Sequence, residues 1–101
     1  MLIFNTTYKI SANQVSDWIR WAQDEHIAFM LSDAVFSHPQ IAKVVGSEDD
    51  TGVSYSIQFH IDTMDRLMQW HKANASNFQR NCAAKFGSDV QFFTTVLEII
   101  A

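Results

Sequence analysis

Polar and apolar residues alternate at the start of the chain. Leu2, Phe4, Thr6, Tyr8 and Ile10 fall on one side and Ile3, Asn5, Thr7 and Lys9 on the other, which is the period of a strand. Between Ala12 and Ser32 the period lengthens: Val15, Trp18, Ile19, Ala22, His26, Phe29 and Met30 recur at helical spacing. Ser11 or Asn13 is placed to cap this helix, and Asp17, Arg20 and Asp24 form its wet side, with Trp21 towards them as an exposed aromatic. The run Ala34 to Pro39 reads as a connection, because Pro39 cannot continue a helix and biases His38 towards an extended backbone.

A short strand follows over Ile41 to Gly46, or 40–47 at its widest, and then an acidic turn, Glu48 to Gly52, in which Gly52 can take positive φ. Val53, Tyr55, Ile57, Phe59 and Ile61 alternate with Ser54, Ser56, Gln58 and His60, completing a hairpin. Asp62 with Asp65 resembles a capping pair for a second helix, on which Met64, Leu67, Met68, His71, Ala75, Phe78 and Cys82 trace one face and Gly87 suits the end. Val90 to Ile100 is rich in β-branched and aromatic residues and reads as the last strand.

The order β-α-β-β-α-β is the split βαβ unit, a ferredoxin-like α+β layout. It predicts a four-stranded antiparallel sheet with two helices on one face, the first and third strands as central neighbours, and the other face uncovered. A chain of 101 residues, 48% hydrophobic and 13% aromatic, builds one core, so residues 1–101 form a single domain. The sequence expects order nearly end to end, since only 18% of residues are charged yet there are three glycines and one proline.

A net charge of −4 and a pI near 5.3 argue against a nucleic-acid partner, which would need clustered Lys and Arg. The start, Met1 to Thr7, has no basic region and too short an apolar run for a signal peptide or membrane span. The expectation is a cytoplasmic protein with no membrane partner. Cys82 is the single cysteine; it cannot form an intramolecular disulfide and reads as a small core hydrophobe.

Several blocks occur together in order: Ile3-Phe4-Asn5-Thr6-Thr7-Tyr8, Trp21 to His26-Ile27, Gly52 to Phe59, Lys85-Phe86-Gly87 and Val96-Leu97-Glu98. Over nearly its full length the chain resembles a bacterial family of about this size known only as a domain of unknown function. That family looks like a branch of the dimeric α/β-barrel superfamily, which also holds small monooxygenases, lactone isomerases and haem-handling enzymes. The chain departs from the family pattern after His26-Ile27, where Ala28 stands in place of proline, and at Ser32-Asp33, where the family has a helix-ending glycine.

His26 and His71 each fall within the apolar stripe of their helix, pointing towards the sheet, while Tyr8 and Tyr55 lie on the helix-facing sides of the central strands. Two readings stay open. In one the histidines are neutral and bonded to a tyrosine or a carbonyl at the core's edge. In the other they line a cavity between helices and sheet, where the resembling enzymes hold substrates, with Trp18 beside them. A Tyr-His pair suits acid-base work on a small polar organic molecule as well as it suits a buried structural bond.

The four histidines, His26, His38, His60 and His71, show no metal-ligand spacing, and no Gly-rich phosphate loop, Ser-His-Asp order or Cys-x-x-Cys motif is present. No cofactor or metal is expected. On the uncovered sheet face Asn5, Thr7, Ser56, Gln58 and His60 gather, with Phe92, Thr94 and Val96 alongside from the last strand. A mixed polar and apolar face fits an isologous dimer contact, and the resemblance implies a homodimer. The favoured function is therefore a homodimer binding a small organic molecule. The alternatives are a cofactor-independent monooxygenase or isomerase using His26, Tyr55 and His71, and a purely structural dimerisation module.

Overall fold

Strand β1 (Leu2–Ser11) runs up the middle of a four-stranded antiparallel sheet in the order β2-β3-β1-β4, with β2 at Ser37–Lys43, β3 at Gly52–Ile61 and β4 at Val90–Glu98. These elements come from a computed structural model that describes residues 1–101. The helices are a first arm built of α1 (Val15–Trp21), a π-helical stretch (Ala22–His26) and α2 (Ile27–Leu31), and a long helix α3 (Met64–Phe86). The expected βαββαβ order and central β1–β3 pair are both present.

Strand β2 begins earlier and ends earlier than its apolar residues suggest. Ser37 pairs with His60 and Gln40 with Gln58, so three steps on β2 face two on β3 and one residue bulges out. Pro39 is tolerated there because β2 is an edge strand whose outer N–H groups have no strand partner. The bulge also overrides the extended backbone expected at His38, which instead has φ 53°. Beyond Lys43 the chain turns through Gly46 at φ 82° rather than continuing as a strand.

Local caps also differ from expectation. Neither Ser11 nor Asn13 caps the first arm, which starts with a 3₁₀ turn at Ala12–Gln14 without a side-chain bond. The N-cap of α3 is Thr63, whose Oγ1 accepts from the Arg66 N–H at 3.2 Å; Asp62 instead pairs with the Arg66 guanidinium at 2.8 Å. Gly87 closes the helix with the positive φ expected, 56°, but its ψ of −134° lies outside the left-handed helical region. At Gly52 the constraint is space, since a Cβ there would collide with the Ile10 carbonyl across the β1–β3 pair.

The core fills the layer between sheet and helices. Phe4, Tyr8, Ile10, Ile57, Phe59 and Ile61 from the sheet meet Trp18, Trp21, Ala22 and Met30 from the first arm and Leu67, Trp70, Phe78, Cys82 and Phe86 from α3. Two expectations fail here for geometric reasons. Trp21 is buried rather than exposed, because it stands only one helical step round from Trp18 and Phe86 packs edge-on against it at 5.8 Å. Along α3 the buried line drifts: Trp70 and Phe86 lie about 160° apart on a wheel of 3.6 residues per turn, yet both are buried. A helix crossing the sheet obliquely has no single inner face along its length. Met64, Met68 and His71 therefore sit exposed on the side that becomes inner only further along.

Register settles which residues share a sheet face. Phe4 pairs with Phe59 and Val96, Thr6 with Ile57 and Thr94, and Tyr8 with Tyr55 and Phe92. Phe92, Thr94 and Val96 thus belong to the helix side, against the dimer-face assignment made from sequence. A one-residue slip in reading β4 moves its whole set to the other face. The open face carries Asn5, Thr7, Ser56, Gln58 and His60 as expected, with Phe93, Thr95 and Leu97 from β4.

Candidate functional site

Tyr8 and Tyr55 are direct cross-strand neighbours at the helix-side centre of the sheet. Trp18 descends from α1 onto both, with ring centroids 5.1 Å from Tyr8 and 5.4 Å from Tyr55. His26 arrives from the π-helical stretch, where one widened turn interrupts the α-helical spacing between Ala22 and Ile27. Its ring stacks on Trp21 at 4.8 Å, and its Nε2 lies 3.4 Å from the Tyr8 hydroxyl. Four of the five ligand-binding candidates read from the sequence, His26, Tyr8, Tyr55 and Trp18, are therefore one cluster. The fifth, His71, is exposed on α3 and is not part of it.

Electrostatics hold this cluster neutral. Burial lowers the His26 pKa from 6.5 to about 4, because the charged imidazolium would lose its water without gaining an anionic partner. Burial likewise raises the Tyr8 phenol above its ordinary value, with the nearby Cys82 adding to the effect. Cys82 itself is pushed up to about 11 by burial, so it stays a thiol and a core hydrophobe. When the Tyr8 hydroxyl donates to Nε2, the neutral ring carries its proton on Nδ1.

That Nδ1 has no partner. Neither does the indole Nε1 of Trp18, and these are the buried side-chain polar atoms without one in the whole chain. Both belong to rings packed on Tyr8. Beside His26, Trp21, Glu25, Asn81, Ala84 and Lys85 line a cleft of about 500 Å³ between the first arm and α3. The Glu25–Lys85 ion pair, at 3.0 Å, ties the two helices together there. Sequence periodicity placed His26 on the buried stripe; Trp21, Asn81 and Lys85 were missed as lining residues because the seam between two helices is set by their crossing.

A second opening lies between α3 and β4. Its walls include Phe4, Met64, Leu67, Met68, Thr94 and Val96, and it measures about 610 Å³. His71 lines this groove, not the cluster around Tyr8. On the open sheet face Ser56 bonds to the Asn5 carbonyl oxygen, whose amide donates to Thr95 at 3.1 Å and Thr7 at 3.3 Å. His38 and His60 stack at 4.6 Å near one edge, and no three His, Cys, Asp or Glu side chains converge to hold a metal.

Fold and register define a ferredoxin-like α+β domain. The chain belongs to the family described as a domain of unknown function, DUF4286, whose model matches residues 1–100. No curated protein matches it in sequence. Among solved structures it is similar to a proposed antibiotic biosynthesis monooxygenase from Deinococcus radiodurans, with a TM-score of 0.68 and 16% identity, covering 100% of this chain and 94% of that one. It is also similar to a dimeric ferredoxin-like protein from an uncultured marine organism, with a TM-score of 0.67 and 12% identity over 100% and 96% of the two chains. A further dimeric ferredoxin-like marine protein gives 0.59 and 10% over 99% and 95%. No helix is long and apolar enough to cross a membrane.

Proposed function

We propose that the protein is a homodimer that binds a small polar organic molecule at the seam between its first helical arm and α3, against His26. The observation that carries this reading is Nδ1 of His26, a buried polar atom without a partner on a residue that lines the cleft. A buried donor left unpaired costs about 1–3 kcal/mol, and the one on His26 marks a place where a polar contact remains to be made. A ligand carbonyl or carboxylate reaching into the cleft would meet His26 at its base, with Asn81 and Lys85 on the walls to orient it.

The dimer reading rests on the open sheet face, where Phe93 and Leu97 are 61% and 44% exposed beside the Asn5–Ser56–Thr95 network. Exposed apolar side chains beside satisfied polar groups suit a self-complementary contact. The two marine neighbours are dimeric.

Acid-base catalysis fits the cluster less well. A general acid or base works best with a pKa near the operating pH, whereas His26 is driven down to about 4 and Tyr8 upwards. The reading is tested by native mass spectrometry of protein purified without denaturation, followed by NMR of whatever molecule is retained. The retained molecule is expected to shift the Trp21 indole and His26 ring signals and to be lost from a His26→Gln variant. Retention that is unchanged in that variant, with both signals still, would overturn it.

A further inference from the structure

We propose a second site, in the groove between α3 and β4, for a medium-chain monocarboxylate, an aliphatic tail carrying one anionic head. The groove shares no lining residue with the His26 cleft. Its floor is Phe4 and Leu67, and its walls are Met64 and Met68 on the helix and Val96 on the strand. Two unbranched, polarizable methionines that are 49% and 61% exposed make an adaptable apolar wall of the sort that accepts flexible chains.

Charge selects the head group. Among the groove's nine lining residues Lys72 is the one with a fixed charge. The chain's ion pairs engage Lys9, Lys43, Arg66 and Lys85, and leave Lys72 without an acidic partner. A lone cation at one end of an apolar trough, on a chain of net charge −4, is complementary to an anion at the end of a hydrocarbon. His71 stands beside it as a second donor.

Length follows from the helix. Met64 and Lys72 are two turns apart, about 12 Å at 1.5 Å per residue, and an extended tail of about nine carbons spans that distance. Decanoate is the matching probe, its methylenes lying along Met64, Leu67 and Met68 and its carboxylate meeting the Lys72 ammonium.

The experiment compares decanoate, octanoate, hexanoate and neutral decanol by titration into methyl-labelled protein, reading the methionine methyl signals. Decanoate should move Met64 and Met68 and leave the Trp21 indole unmoved, which separates this site from the His26 cleft. Each removal of two methylenes should weaken binding about tenfold. Lys72→Ala should weaken decanoate about threefold to fivefold, as an exposed charge contact does, and leave decanol unchanged. Met68→Asp, an exposed substitution that folding tolerates, should abolish decanoate binding. Equal affinity for decanoate and decanol, indifference to Lys72→Ala, or shifts confined to the open sheet face would each overturn the proposal.

Discussion

The hydroxyl of Tyr8 and Nε2 of His26, 18 positions apart in the chain, meet at 3.4 Å inside the core. The contact joins the centre of the sheet to the π-helical turn, and it brings an ionisable ring to a place where ionisation is costly. His26 is 2% exposed.

Stability should therefore depend on pH through this residue. The folded pKa lies near 4 against an ordinary 6.5, so between those values the unfolded chain takes up a proton that the folded chain excludes. Stability from this source is full above pH 6.5, falls as the pH drops towards 4, and levels off below. At 1.36 kcal/mol per pKa unit the loss amounts to about 3 kcal/mol. The Asp49 carboxyl, held down by Thr51 and Lys9, also destabilises the fold when protonated, but at lower pH. Urea unfolding at pH 7 and pH 4.5 should show wild type losing more than His26→Gln, in which that window is absent. Parallel losses in the two proteins would show that His26 does not titrate this way.

Thr63 rather than Asp62 should anchor the start of α3. Thr63→Ala is expected to cost about 1 kcal/mol and Thr63→Ser to recover most of it. Asp62→Ala, which removes only an exposed ion pair with Arg66, should cost less. A larger loss for Asp62→Ala in chemical denaturation would reverse the assignment.

Two positions on opposite faces of β4 give opposite tests of the dimer. Phe93, opposite Thr7, lies on the open face, and Val96, opposite Phe4, lies on the helix side. Phe93→Lys should give the monomer mass in light scattering at micromolar concentration, while Val96→Lys keeps the dimer. If Val96→Lys dissociates the protein and Phe93→Lys does not, the interface is elsewhere.

The architecture was legible because alternation in β1 and β3 is unbroken and each face pairs with a like face. Residues such as Tyr8, Tyr55 and Trp18 could be grouped from period alone, since strand partners and a regular helix preserve it. What escaped were the features that depend on a third direction. The drift of the buried line along α3 took His71 out of the cluster and put Trp70 into the core. The phase of β4 is ambiguous because Phe92 and Phe93 are consecutive aromatics, either of which suits the inner face. The bulge at Ser37 to Gln40 carries no apolar signal at all.

The two margins of the sheet are unlike. Along β2 the bulge, Pro39 and the left-handed His38 spoil the outer row of hydrogen-bonding groups. The register of β4 against β1 runs without a break from Val90 to Glu98, and no strand pairs with its outer row. Strand addition is thereby confined to one margin of each copy. A single sheet can therefore lengthen past β4 but never past β2, and no continuous sheet can pass through the molecule from one margin to the other.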